Sequence, residues 1–237
     1  MSVNFGTLRV IPGQSGLSES SDSKLFLFVG DATSHPIHSI VPDSGVILPG
    51  PREKKTGNDF LLTIYHFNDL HGHLVRFIPG GEDAVISRMA WQIHEKRKSV
   101  LNDPDKAVMT FSAGDDCIGS VFDELLGSKP SEFETHASYH LYSELGVDAA
   151  CLGNHDFDLG FPLLIKSIEQ NAKFPILVAN LSGCDRIKDL VFPAAIKVVK
   201  GIRVGLIGLV TQAELKISDS NCSVTDPYFA AKNLIHA

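Results

Sequence analysis

From residue 60 onward, continuous apolar runs alternate with stretches of helical periodicity. Residues 61–67 (LLTIYHF) form an apolar run whose length predicts a buried strand. Over 82–98, Val85, Ile86, Met89 and Ile93 fall on one face, which predicts a helix. The same reading predicts a strand over 107–112, a helix over 132–145, a strand over 148–152, a helix over 159–170 and a strand over 175–179. Residues 194–199 and 202–210, joined by Lys200-Gly201, predict a hairpin, and 227–236 a further helix. Strands alternating with helices imply right-handed crossovers and a largely parallel sheet, so the expected fold class is α/β.

The first 58 residues read differently. Apolar bursts at 8–11, 24–29 and 45–48 are separated by Gly, Ser, Pro and Asp, which predicts short strands or an irregular extension of unknown role. Residues 15–23 (SGLSESSDS) read as a flexible loop and PREKKTGND as a polar linker. The expected division is therefore an amino-terminal extension over 1–58 and an α/β domain over 59–237. No internal repeat is visible.

Three polar clusters follow predicted strands, where parallel α/β sheets gather their ligand-binding groups. They are Asp69-Leu70-His71, Gly114-Asp115-Asp116, and the run Gly153-Asn154-His155-Asp156-Phe157-Asp158. In extended backbone, positions i and i+2 face the same way, so Asp69 and His71 can approach one ion together. The two oxygens of Asp115 can bridge two cations, and Asn154 offers a neutral oxygen. His155 is free to act on a substrate if Asp158 holds its other ring nitrogen. The glycines before Asp115 and Asn154 permit sharp turns. Taken singly, each cluster is ordinary turn chemistry; their placement after three successive strands is what points to a site. Mixed oxygen and nitrogen donors suit Mn, Zn, Fe or Co better than an all-oxygen Mg or Ca cage.

Other polar residues read more plainly. His35 and His38 belong to a surface turn, His73 is a hydrogen-bonding loop histidine, and His94, His136 and His140 are exposed or half-buried helix residues. Asp116 is a weaker candidate than Asp115 for the bridging role. Cys117 and Phe157 are expected to pack beside the site.

The runs YHFNDLHGHL, FSAGDDCIGS and CLGNHDFDLG resemble the calcineurin-like metallophosphoesterases of the 5′-nucleotidase branch. FPILVANLSG and GIRVGLIGLVT are similar to the next two segments of that family, so the resemblance spans roughly residues 60–237. It implies an α/β sandwich of two mixed sheets flanked by helices. It also implies two-metal hydrolysis of phosphate esters, foremost nucleoside 5′-monophosphates, by in-line attack of a metal-bound water or hydroxide. Carried over by position, Asp69 and His71 would bind a first divalent ion and Asp115 would bridge to the second. Asn154 would bind the second ion and, with His155, contact the phosphate; His155 and Asp158 would form the catalytic dyad. Hydrolysis of cyclic nucleotides or nucleotide sugars is the alternative within the same chemistry. A metal- or nucleotide-binding fragment of weak activity is the alternative outside it. The family also draws histidines from two later segments, the last a Gly-x-His-x-His-like motif. After Asn154 this sequence has only His155 and His236, the latter in a predicted helix. The expectation is a fragment that lacks those ligands and the nucleoside-gripping domain, and that binds its second metal poorly.

With 43% apolar residues in 237, the chain can bury a real core. A formal charge of −7 argues against broad binding to nucleic acid or anionic membranes. It does not oppose a small phosphorylated substrate, because bound cations reverse the local field. No basic stretch followed by a long apolar run opens the sequence, so it reads as cytoplasmic as written, or as periplasmic or extracellular if the true start lies upstream. Four widely spaced cysteines without a CxxC pair predict reduced thiols, with Cys151 a small buried hydrophobe.

Overall fold

The computed structural model describes residues 5–9, 23–29, 31–33, 39–42, 59–213 and 215–235. The readings made for 10–22, 43–58, His35, His38 and His236 lie outside the described residues. In chain order the elements are β1 (Phe5–Arg9), β2 (Ser23–Val29), β3 (Ser39–Pro42), β4 (Leu61–Phe67), β5 (Arg76–Ile78), β6 (Gly81–Asp83) and α1 (Val85–Val100). Then come β7 (Lys106–Ser112), α2 (Ala137–Leu145), β8 (Ala149–Cys151), α3 (Gly160–Asn171), β9 (Ile176–Leu177) and β10 (Leu181–Ser182). The last are β11 (Val191–Phe192), β12 (Ala194–Val199), β13 (Ile202–Ile207), β14 (Ser223–Val224) and α4 (Pro227–Ile235).

Two five-stranded sheets form the centre. The first, in the order β11-β9-β8-β7-β4, is parallel at every pairing. The second runs β13-β12-β2-β1-β3 and is antiparallel except for β1 with β3. The stretch read as an extension thus supplies three of the second sheet's five strands. Strand period explains how β2 serves two layers. Phe26 and Phe28 face α4, packing with Ala230 and Leu234. Leu27, on the opposite face, packs with Ala149, Leu177, Phe192 and Ala195 between the sheets. The largest core lies on the first sheet's other face, where Tyr139, Tyr142, Leu164, Ile168 and Phe174 bring α2 and α3 against it.

Several boundaries move for identifiable reasons. The helix expected from residue 82 begins at Val85 because Gly81–Asp83 pairs with Arg76–Ile78, and the Asp83 carboxylate takes ion pairs from Arg76 and Arg88. The helix expected from residue 132 begins at Ala137. There the His136 side chain caps it, accepting the Tyr139 N–H at 3.2 Å, and Gly146 closes it in a left-handed conformation at φ 69°. His136 is therefore a buried cap, 2% exposed, and not the helix-face residue expected; His94 and His140 are exposed.

The cysteine reading is corrected more sharply. Cys184 and Cys222 form a disulfide across a sequence separation of 38, beside the β10–β14 ladder that pairs Ser182 with Ser223. Only Cys117 and Cys151 remain free thiols, and Cys151 is half-buried.

Candidate metal centre

The first two polar clusters meet because the β4–β7 ladder continues past its strands. Phe67 pairs with Ser112 at the carboxyl end. Beyond it, the Ala113 N–H donates to Phe67 O at 2.9 Å, Asp69 N–H to Gly114 O at 3.0 Å, and His71 N–H to Asp115 O at 3.0 Å. Asp69, His71 and Asp115 all lie in the left-handed region, at φ 53°, 45° and 54°. That conformation costs a non-glycine residue roughly 1–2 kcal/mol, and it persists only where the surroundings over-determine it. The extended i, i+2 geometry expected for Asp69 and His71 is thus not what unites them; tight turns zipped to a shared ladder do so.

Candidate ligand atoms of Asp69, His71 and Asp115 lie within 4.8 Å of one another. The His71 Nδ1 stands 2.8 Å from Ile118 O, and that carbonyl fixes Nδ1 as the N–H and leaves the Nε2 lone pair available. The Asn68 amide donates to Asp69 Oδ2. Two carboxylates and one oriented imidazole form a donor set that fits a divalent cation of the Mn, Zn, Fe or Co type.

The third cluster is clamped to the second. The His155 N–H donates to Asp115 Oδ1 at 2.8 Å, and the Gly153 N–H donates to Asp156 Oδ2 at 2.8 Å. Both glycines are required by the approach of the two loops. A Cβ on Gly114, at φ 95°, would strike the Gly153 backbone, and one on Gly153 would strike the Asp115 carboxylate. Asn154 sits between Gly153 and His155, so its backbone is carried beside Asp115. The His155 Nδ1 lies 2.9 Å from Asp158 Oδ2, and the imidazole ring is 5.1 Å from that of His71. The hydrogen bond to Asp158 raises the His155 pKa above its ordinary value, against a smaller opposing effect of desolvation. Phe157 packs beneath this loop in the main core, as expected.

Sequence reasoning missed three contributors. Asp156, read as one more polar loop residue, is fully buried and binds the backbone of both loops. Asp116 is also fully buried and turned away, its carboxylate accepting from Ser112 Oγ and Tyr142 OH at 2.6 Å each; burial and the neighbouring Asp156 raise its pKa. Lys216 places its Nζ 3.7 Å from Asp158 Oδ1 from a loop distant in sequence. Cys117 does pack beside the site, and its thiol also donates to Asp156 Oδ1 at 3.1 Å. His73 is exposed.

No protein-family model matches the chain. A probable 5′-nucleotidase of Treponema pallidum is 33% identical over 176 residues, covering 70% of this chain and 28% of that protein. The crystal structure of a 5′-nucleotidase precursor from Thermus thermophilus superposes with a TM-score of 0.59 at 30% identity, over 75% of this chain and 34% of the other. A Bacillus subtilis calcineurin-like phosphoesterase shares the fold, with a TM-score of 0.52 at 22% identity. The chain belongs to the 5′-nucleotidase family, and its fold is that of the calcineurin-like phosphoesterases. This nucleotidase-branch chain spans about three tenths of the length of the curated relatives it matches, 29% and 28% for the first two. The family's two-sheet α/β architecture is the one described above.

Proposed function

We propose that the chain carries the amino-terminal part of a metal-dependent phosphomonoesterase centre acting on nucleoside 5′-monophosphates. The observation that carries this reading is the convergence of Asp69, His71 and Asp115 to within 4.8 Å, with the His155–Asp158 pair on the adjoining loop. Asp69 and His71 would hold a first divalent ion, Asp115 would serve both this ion and a second, and Asn154 would help hold the second. Such ions, when bound, supply Lewis-acid polarisation of a phosphoryl oxygen and acidify water. His155 provides what the ions do not. With Nδ1 tied to Asp158, the ring keeps its orientation, and its raised pKa favours an imidazolium whose Nε2–H faces phosphoryl or leaving-group oxygen.

Two further features bear on the setting. Among the described residues, no helix is long and apolar enough to cross a membrane. The Cys184–Cys222 disulfide is chemistry that persists in oxidising compartments, and it favours a periplasmic or extracellular setting over the cytoplasm.

The test is hydrolysis of AMP, a cyclic nucleotide and a UDP-sugar with added Mn²⁺, at protein in excess of substrate, beside Asp115→Asn, read as phosphate and adenosine released from AMP and as nucleoside monophosphate released from the other two. Release from AMP in the wild type and not in the variant supports the reading, and a better cyclic or sugar substrate moves it to the phosphodiesterase alternative. Equal release by both proteins from every substrate sinks it.

A further inference from the structure

We infer that Asp156 is the positioning residue of the metal centre, the group that sets where Asp115 stands relative to the loop carrying Asn154 and His155. The inference rests on the metal-centre reading above and goes beyond the residues it assigns.

The Asp156 side chain has no solvent exposure, and four donors converge on it. Oδ2 accepts the Gly153 N–H at 2.8 Å and the Asp115 N–H at 3.0 Å. Oδ1 accepts the Asp116 N–H at 3.2 Å and the Cys117 thiol at 3.1 Å. A carboxylate offers about four lone-pair sites, so this one is saturated. Three of its donors are backbone or thiol groups of the 115–117 loop, and the fourth belongs to its own loop. The two loops are therefore joined through one buried carboxylate. The other end of Asp115 closes the clasp, because its Oδ1 accepts the N–H of His155, the residue just before Asp156. A strained left-handed residue such as Asp115, at φ 54°, needs such over-determination to keep its carboxylate aimed.

The neighbouring carboxyl makes the contrast. The Asp116 carboxylate binds Ser112 and Tyr142, both on the core side of the loop. That carboxylate anchors the loop to α2 through Tyr142 and makes no hydrogen bond to residues 153–156.

Asparagine at 156 would turn an NH2 toward two N–H or S–H donors on one side, whichever way it is oriented. The test is Mn²⁺ binding by calorimetry to the metal-free chain, at a temperature where circular dichroism shows each variant folded. Groups that orient metal ligands typically change affinity 10–100-fold, so Asp156→Asn is expected to weaken Mn²⁺ at least ~10-fold. Tyr142→Phe, which removes a hydrogen bond from the same buried network, should lower the melting temperature yet leave Mn²⁺ affinity within about twofold. If the two variants lose stability alike and both bind Mn²⁺ like the wild type, Asp156 only supports the fold and the inference is overturned. If Asp156→Asn does not fold, Asp156→Glu decides. Its extra methylene must shift one loop against the other, and a folded Glu variant with unchanged affinity overturns the inference. A wild type that binds no Mn²⁺, Zn²⁺ or Co²⁺ removes the metal-centre reading itself, and this inference with it.

Discussion

Protonation of His136 should set a measurable part of the fold's acid sensitivity. In the folded chain Nδ1 accepts the Tyr139 N–H, the ring stacks on Tyr139 at 3.9 Å, and Nε2 is buried without a hydrogen-bond partner among the described residues. A second proton would cost the helix its cap and bury a charge, and burial lowers the pKa from 6.5 to about 3. The unfolded chain takes up that proton below pH ~6.5 while the folded chain does not. Stability from this group is therefore complete above pH ~6.5 and is lost as the pH falls toward 3. At pH 5 the gap is ~1.5 pH units, worth about 2 kcal/mol at 1.36 kcal/mol per unit. His136→Asn keeps a good helix cap and does not titrate. Urea unfolding of both proteins at pH 7, 6 and 5, with a chelator present, isolates the term. The wild type's advantage over the variant should shrink by about 2 kcal/mol from pH 7 to pH 5. Stability curves that stay parallel over that range would refute the reasoning.

Other outcomes follow from the same geometry. Replacing Cys184 and Cys222 together by serine frees a loop of 38 residues' separation; on the chain-entropy account this costs ~4 kcal/mol, read from the fall in urea midpoint together with a slope that steepens as the unfolded chain expands. Gly153→Ala drives a methyl into the Asp115 carboxylate and should weaken Mn²⁺ binding at least ~10-fold by calorimetry; unchanged affinity would show that Asp115 is not a ligand. Asp158→Asn should lower the rate of AMP hydrolysis ~100-fold, within the range general acid–base groups contribute, with Mn²⁺ affinity nearly unaltered; a loss of affinity instead would place Asp158 in metal binding.

How much of this was legible depended on whether a residue's partner lies near it in sequence. The apolar run at 61–67 and the helical periodicity after Val85 are local, and both elements stand within three residues of their expected starts. Asp69, His71, Asp115 and His155 were legible because each follows a strand of one parallel sheet, whose topology alone collects them. The Asp158–His155 bond is a local i, i+3 contact. Asp156 was not legible, because its donors on the 115–117 loop lie about 40 positions away and nothing in its neighbourhood distinguishes it from a loop carboxylate. The cysteines failed for the same reason: spacing rules detect short-range ligand pairs, whereas Cys184 and Cys222 meet only after β10 and β14 pair. The apolar burst at residues 24–29 predicted a short strand but could not name β12 as its partner.

That last pairing also dictates an order of events during synthesis. Leu27 pairs with Ala195, so β2 emerges from the ribosome roughly 170 residues before the strand that covers its edge. At ~5–20 residues per second the wait is roughly 10–30 s. Throughout it, Phe26 and Phe28 have no α4 against their face, because Ala230 and Leu234 are made later still. Four of the parallel sheet's five strands, with the loops of the candidate metal centre, lie within 61–177 and can pair in the meantime. The nascent chain therefore presents a sticky apolar strand beside a nearly finished half, the kind of intermediate that holdase chaperones bind.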